Sequence, residues 1–194
     1  MIIWINGPFG SGKTQTAFAL SRRLPGSFVY DPETVGFWLR QNQPAVLRRD
    51  NFQDEPLWRA INRDMLKSLA CRYPGVILVP MTLANPQYYQ EIITELRKAG
   101  ERVIHILLLP SPAVVRRRLR KRLEFGNSWA ARQLAGCMAA FQDPVFENPV
   151  CTDGCTVEEA AELAAKIAGV TLLPRRSRPR QFLDRFFTQL RALR

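Results

Sequence analysis

The stretch that decides the fold spans residues 2–14 and reads IIWINGPFGSGKT. Its apolar start predicts a short buried strand, and the glycine-rich residues 7–14 lead into a segment with helical spacing from Lys13 to Leu24. Glycines let backbone N–H groups turn inward around phosphate oxygens, and the N-terminus of the following helix adds its positive dipole. The sequence therefore predicts a strand, a phosphate-binding loop and a helix, in that order.

The loop offers a group for each part of an ATP–Mg²⁺ complex. Lys13 is predicted to reach the β and γ phosphates, and the Thr14 hydroxyl to ligate Mg²⁺. We therefore predict ATP and Mg²⁺ as cofactors. The predicted nucleotide contacts in the loop are Gly7, Phe9, Gly10, Ser11, Gly12, Lys13 and Thr14.

Apolar runs alternate with segments of helical spacing along the rest of the body. Continuous apolarity in a short run is typical of a strand in a parallel sheet, so the alternation predicts an α/β architecture. The predicted strands are residues 2–5, 28–30, 76–79 and 103–109.

The net charge of +11 is concentrated in two segments, residues 116–122 and residues 174–194, and the rest of the chain is nearly neutral. A neutral body argues against a general nucleic-acid binder, so no specific nucleic acid is expected as a partner. The four cysteines are scattered, and the single histidine lies in an apolar run. This pattern argues against a zinc site and favours reduced thiols in a cytoplasmic protein.

Two acids follow the second predicted strand. Ligands of open α/β sheets bind beyond the carboxyl ends of the strands, so Asp31 is predicted to orient an acceptor hydroxyl as a base and Glu33 to contact substrate. The alternative for Asp31 is an ordinary Asp-Pro turn. The third predicted strand ends in Pro80 rather than in the acid that commonly helps to hold Mg²⁺.

A basic helix is predicted over residues 113–123. On a helical projection Arg118 and Arg122 lie on the same side as the apolar Val115 and Leu119, so they are predicted to face the protein. Cations in this position could stabilise the charge on a phosphoryl group in transfer. The alternative is that these arginines form structural ion pairs.

The chain is predicted to form a body over residues 1–170, with a helical lid at about 124–136, and a C-terminal segment over residues 171–194. That segment reads as a basic linker and an amphipathic helix whose apolar residues share one face. Two arrangements are consistent with it: the helix lies on an anionic membrane surface, at the inner face of the membrane, or its apolar face docks on the body. The apolar residues are Phe182, Leu183, Phe186, Phe187, Leu190 and Leu193.

The residues from Ile2 to Ala17, followed by Asp31-Pro32-Glu33, Gly36-Phe37 and Leu39-Arg40, resemble the tunicamycin-resistance protein family. The chain is also similar, more widely, to the nucleoside monophosphate kinases and antibiotic phosphotransferases, whose lid helix carries an Arg-x-x-x-Arg pattern that Arg118 and Arg122 match. The resemblance implies a P-loop NTPase three-layer sandwich with a five-stranded parallel sheet and a helical lid.

This resemblance also implies a function and a site. It implies ATP binding and a pocket for a uridine-containing lipophilic antibiotic, tunicamycin, formed by Asp31, Glu33 and Arg40. Two functions are consistent with the sequence. In the first, the protein phosphorylates a hydroxyl of the antibiotic, with Lys13, Asp31, Arg118 and Arg122 as the catalytic residues. In the second, which the proline at the end of the third strand motivates, the protein sequesters the antibiotic in an ATP-dependent manner without chemistry.

Overall fold

The computed structural model describes residues 1–121 and 129–191, and a five-stranded parallel sheet lies at its centre. The strand order is β2-β3-β1-β4-β5, so the strand that precedes the glycine-rich loop is central. This arrangement confirms the predicted α/β fold class. The strands are β1 (Ile2–Asn6), β2 (Ser27–Val29), β3 (Val76–Pro80), β4 (Val103–Leu108) and β5 (Pro149–Val150).

Helices cover both faces of the sheet because its inner strands are apolar on both sides. In β1, Ile2 and Trp4 contribute to one core and Ile3 and Ile5 to the other, as the alternation of side chains along a strand requires. The helices are α1 (Lys13–Arg23), α2 (Glu33–Gln41), α3 (Pro56–Arg72), α4 (Pro86–Tyr89), α5 (Glu95–Lys98), α6 (Pro112–Lys121), α7 (Trp129–Ala140), α8 (Val157–Ala168) and α9 (Arg178–Arg191), with a π-helical segment, Gln90–Thr94, between α4 and α5.

The predicted end of the body near residue 170 is too early. Arg23, at the end of α1, donates from Nε to the Leu173 carbonyl at 2.8 Å and accepts the Leu173 N–H at 2.8 Å. Its Nη1 also contacts Glu158 at 2.9 Å and Glu162 at 3.0 Å, and Arg175 pairs with Glu162. The contacts of Arg23 and Arg175 therefore hold the residues after α8 against the body as far as Arg175.

Helix α9 docks on α1 through its polar side. Arg22 Nε lies 3.3 Å from Asp184 Oδ2, and Arg22 Nη1 donates to Thr188 Oγ1 at 3.1 Å. Gln15 Nε2 donates to the Arg185 carbonyl at 3.1 Å, and Thr188 is buried. The apolar side points away from the body, since four of its side chains are more than half exposed: Phe182, Leu183, Phe186 and Phe187.

The orientation of α9 differs from the arrangement in which its apolar stripe would pack on the body. Docking pairs the charges of Arg22 and Asp184 and leaves most of the apolar face of the described part of α9 exposed. No helix in the described ranges is both long enough and apolar enough to cross a membrane.

A buried amide at the end of β1 fixes the start of the glycine-rich loop. Asn6 Oδ1 accepts the N–H groups of Gly7 and Leu83, both at 2.8 Å. Its Nδ2 donates to the Leu83 carbonyl at 2.8 Å and lies 3.1 Å from His105 Nε2. Every donor and acceptor of the Asn6 side chain is therefore paired, which fixes its orientation.

His105, on the neighbouring strand β4, completes this network. The Asn6 amide can only donate to His105 Nε2, so Nε2 is the acceptor and Nδ1–H donates to the Glu147 carbonyl at 3.0 Å. Burial lowers the pKa of His105 to about 4, which keeps the ring neutral and able to accept this bond. If Nε2 were protonated, its N–H would face the N–H of Asn6 Nδ2, and the hydrogen bond between them would be lost.

We predict that His105 makes the protein less stable in acid. Its pKa in the folded protein, about 4, lies below the ordinary value of 6.5, so the unfolded chain takes up the proton first. The contribution of His105 to the free energy of unfolding is fully present above its ordinary pKa and is lost as the pH drops. The free energy of unfolding should fall by about 3 kcal/mol between pH 7 and pH 4. Urea unfolding at both pH values measures this loss, with His105→Gln as a reference that does not titrate there. Equal losses in the two proteins would contradict the prediction.

Candidate functional site

The glycine-rich loop has the conformation of a phosphate-binding loop. Gly7 adopts a φ of +143°, and a Cβ at this position would lie 2.4 Å from the Leu108 carbonyl oxygen, so only glycine fits between β1 and β4. Gly12 has a φ of +101° and caps α1, and Thr82 Oγ1 donates to the Gly7 carbonyl at 2.9 Å. The N-terminus of α1 therefore opens directly onto the loop, where its N–H groups favour an anion.

Lys13 lies within the loop. Its Nζ donates to the Pro8 carbonyl at 3.0 Å and lies 5.6 Å from the centre of the Phe9 ring. The side chain is 9% exposed, so this ammonium group is held close to the loop backbone. The fold thus brings together the residues of the predicted phosphate site.

A cationic cavity of about 520 Å³ lies on one side of the loop, and we call it the donor cavity. Arg118 Nη1 donates to the Ser11 carbonyl at 2.9 Å, and Nη2 donates to the Thr152 carbonyl at 3.2 Å. Among the residues that the structure describes, three arginines and no acid line this space, so it favours an anionic occupant. Its lining is Gly10, Ser11, Gly12, Gln15, Thr16, Arg117, Arg118, Thr152, Gly154, Cys155, Thr156, Val157, Ala160 and Arg185.

Buried polar atoms in the lining of the donor cavity also point to a ligand. Within the described parts of the chain, Ser11 Oγ, Gln15 Oε1 and Thr152 Oγ1 are buried without a hydrogen-bond partner. Ser11 and Thr152 are each 2% exposed, so a group that enters the cavity would be their source of hydrogen bonds.

A larger space of about 1010 Å³ shares no lining residue with the donor cavity among the described residues, and we call it the acceptor cavity. It brings Asp31 and Glu33 together with Thr14 and Arg40, which are far apart in the sequence. Pro80, at the end of β3, also lines it. The complete lining is Thr14, Phe18, Asp31, Glu33, Thr34, Phe37, Trp38, Arg40, Gln41 and Pro80.

The two carboxylates of the acceptor cavity have raised pKa values. Partial desolvation by the surrounding protein raises the pKa of Asp31, even though the residue is exposed to the cavity. The N–H of Glu33 donates to Asp31 Oδ1 at 3.0 Å and lowers the pKa, which offsets part of the rise. Burial also raises the pKa of Glu33, the negative charge of Asp31 adds to the shift, and Lys13 opposes it. Both carboxyl groups are therefore more basic than in water, and Glu33 interacts electrostatically with the loop lysine.

Arg40 shapes a smaller apolar pocket of about 290 Å³ that borders the acceptor cavity. Its Nη2 donates to the carbonyl oxygens of Arg49 and Asp50, whereas its Nε is buried and has no partner among the described residues. The rings of Phe37 and Phe52 meet edge to face in this pocket, with their centres 6.2 Å apart. The pocket thus combines aromatic walls with a guanidinium group.

The positions of the predicted site residues follow from these contacts. Arg118 lines the donor cavity with residues of the loop, whereas Thr14, Asp31, Glu33 and Arg40 line the acceptor cavity. Asp31 also forms the Asp-Pro turn at the start of α2. Arg122 and residues 124–128 of the predicted lid region lie outside the described residues, and residues 129–136 of that region belong to α7.

Several lining residues were missed by the sequence analysis. Arg117 was not among the predicted site residues, yet it lines the donor cavity. Neither Thr152 nor Arg185 carries a signal in the sequence, because distant elements bring them there. Among the described residues, no group of three or more histidine, cysteine or acidic side chains could hold a metal ion. A metal ion at this site would therefore bind Thr14 and other oxygen ligands rather than a cluster of this kind.

Comparison with known proteins places the chain in a family. A family model described as an AAA domain matches residues 2–144. The tunicamycin resistance protein of Deinococcus radiodurans has a similar structure, with 32% identity and a TM-score of 0.78, over 90% of this chain and 98% of that one.

More distant solved structures share the fold. A sugar kinase from a Janibacter species has 16% identity and a TM-score of 0.61, over 88% of this chain and 95% of that one. Shikimate kinase from Bacteroides thetaiotaomicron has 18% identity and a TM-score of 0.57, over 88% and 99%. By sequence comparison, no curated protein matches the chain. The chain belongs to the AAA-domain family of P-loop proteins and, within it, to the family of the tunicamycin resistance protein.

Proposed function

We propose that this protein binds ATP and transfers its γ-phosphoryl group to a hydroxyl of a tunicamycin-like nucleoside antibiotic, which would give resistance to the drug. One observation carries the proposal: loop residues and arginines line one cavity, and two carboxylates line a second cavity together with Thr14 on the first turn of α1. Donor and acceptor would then bind on opposite sides of the group that is transferred. The Deinococcus tunicamycin resistance protein, similar over nearly the whole of its length, supports the choice of antibiotic.

On the donor side the loop and its cations would bind the phosphates. The loop N–H groups and Lys13 would hold the β and γ phosphates, and Arg118 would stabilise negative charge from the neighbouring cavity. Oxygen ligands suit Mg²⁺, and Thr14, which carries a hydroxyl, lines a cavity with acidic character, so Thr14 would hold the ion. When bound, Mg²⁺ would neutralise charge on the phosphate oxygens.

On the acceptor side Asp31 would act as the base. Its raised pKa makes it a better proton acceptor, and it would take the proton of the antibiotic hydroxyl as that oxygen bonds to the γ phosphorus and ADP leaves. Glu33 and Arg40 would hydrogen-bond polar groups of the antibiotic. The product would be a phosphate monoester of the drug, with the proton first held by Asp31 and then released to solvent.

Aromatic side chains at the acceptor cavity suit a partly lipophilic substrate. Phe37 and Trp38 line the cavity and are 47% and 55% exposed, an unusual position for large apolar groups in the absence of a binding partner. Their burial by the ligand would contribute to affinity, because apolar surface removed from water is stabilising.

A second function is favoured by Pro80. Proline occupies the end of β3, in the lining of the acceptor cavity, where an acid would help to hold Mg²⁺. A protein with weak metal binding could still close on ATP and the antibiotic together. In that case resistance would come from ATP-dependent sequestration without chemistry.

Mass spectrometry of tunicamycin incubated with the protein, ATP and Mg²⁺ tests the proposed reaction. We predict a phosphorylated drug with the native protein and none with Lys13→Ala, which loses the phosphate contact. Asp31→Asn should lower the rate by about 10²-fold to 10⁴-fold, because it removes the base but keeps the shape of the side chain.

Asp64→Asn is the matched control, since Asp64 is an exposed carboxylate on α3, and it should leave the rate unchanged. If the native protein binds the drug only with ATP and yields no phosphorylated species, sequestration is the function. An undiminished rate in Asp31→Asn would exclude Asp31 as the base.

We also propose that α9 brings the protein to an anionic membrane surface. Its phenylalanines and Leu183 are exposed because the polar side of the helix is bonded to α1, and residues 174–194 carry seven arginines against one acid. An exposed apolar face with basic surroundings fits the headgroup region of the inner face of a membrane.

Sedimentation with vesicles tests this membrane proposal. The native protein should bind vesicles that contain phosphatidylglycerol more strongly than vesicles of phosphatidylcholine alone. Combined Phe182→Ser and Phe186→Ser substitutions should weaken binding by at least about tenfold, since two rings would no longer be buried in lipid. Phe28→Ser, which changes an exposed phenylalanine on β2, is the control. Equal binding by all three proteins would contradict the proposal.

A further inference from the structure

Helix α9 is in contact with the same helix that carries the phosphate-binding loop. The loop ends at Gly12, α1 begins at Lys13, and Gln15 on its first turn donates to the carbonyl of Arg185 at 3.1 Å. Farther along α1, Arg22 pairs with Asp184 and donates to Thr188. The docking contacts therefore extend from the last turn of α1 to within three residues of the loop.

This docking makes Arg185 part of the donor cavity. Of the described residues, Arg185 alone reaches the lining from beyond α8, and with Arg117 and Arg118 it contributes positive charge there. Its Nε donates to the Gln181 carbonyl of its own helix at 3.3 Å, which leaves the rest of an exposed guanidinium at the edge of the cavity.

A second observation points to a ligand next to Arg185. Gln15 bonds the Arg185 backbone through its amide nitrogen, while its Oε1 is buried and has no partner in the described parts of the chain. The similarly unpaired hydroxyl groups of Ser11 and Thr152 line the same cavity. Unpaired buried polar atoms favour a ligand that can form hydrogen bonds with them, and the arginines of the lining favour an anionic ligand.

We propose that α9 forms a wall of the nucleotide site and that Arg185 is a nucleotide-binding residue. The proposal rests on the proposed function, because the occupant of the donor cavity is taken to be ATP. The guanidinium group of Arg185 contacts the bound nucleotide at the open edge of the cavity, opposite Arg117 and Arg118, and adds positive charge to the site. The C-terminal helix is therefore needed for full nucleotide affinity.

Docking of α9 and binding of nucleotide then reinforce each other. A nucleotide that contacts Arg185 stabilises α9 against α1, and by linkage the docked helix increases nucleotide affinity by the same factor. Nucleotide occupancy would in this way control how firmly the exposed apolar face of α9 is attached to the body.

Isothermal titration calorimetry of the full chain with a non-hydrolysable ATP analogue tests the proposal. We expect Arg185→Ala to bind the analogue about fivefold more weakly than the native protein. Arg180→Ala is the matched control, because it removes the same charge from an exposed position of α9 that does not line the cavity, and it should bind like the native protein.

A second variant tests the contribution of docking itself. Asp184→Asn keeps Arg185 but removes the charge that pairs with Arg22 and Arg176, so nucleotide affinity should fall by about threefold. The analogue should also slow trypsin cleavage after Arg185 in the native protein and to a smaller degree in Asp184→Asn.

The outcomes separate this proposal from the proposed function. Native affinity in both Arg185→Ala and Asp184→Asn overturns the inference and leaves ATP binding intact. Equal losses in Arg185→Ala and Arg180→Ala also overturn it, since they reflect net charge alone. If the native protein does not bind the analogue, the inference fails together with the proposed ATP site.

Discussion

The hydrogen bonds of Asn6 are the constraint on which the site depends. This amide ends β1, fixes the N–H of Gly7 and both backbone groups of Leu83, and is itself held by His105. Strand β1, strand β4 and the segment that follows β3 are thus joined at the point where the phosphate-binding loop begins. Because the loop starts from a rigid position, its N–H groups and Lys13 are arranged for an anion before one binds.

From this fixed point, one helix organises both sides of the proposed reaction. Helix α1 begins at the loop, so its first turn contributes Gln15 to the donor cavity and Thr14 to the acceptor cavity. The two spaces differ in charge, since arginines line the first and carboxylates the second. In the proposed reaction this asymmetry would give each substrate its own side, and the C-terminal helix, bonded to α1, would complete the donor side.

The sequence was sufficient for the fold and for those site residues that lie in or next to the glycine-rich motif. Continuous apolar runs predicted four strands, and the position of Arg118 relative to Val115 and Leu119 predicted that it faces the protein, as it does. Strand β5 has two residues and no pattern of its own, so it could not be located. Arg185 could not be found because its place in the cavity depends on how α9 packs, and the polar side of α9 docks through ion pairs that no local pattern encodes.

In the proposed mechanism ATP and the antibiotic bind at the same time, ATP in the donor cavity and the drug in the acceptor cavity. Native mass spectrometry of the protein with tunicamycin and a non-hydrolysable ATP analogue measures this directly. The account predicts a ternary complex of one protein, one drug and one analogue, with each ligand retained when the other is in excess. Displacement of the drug by the analogue would mean that they share one site and would contradict the account.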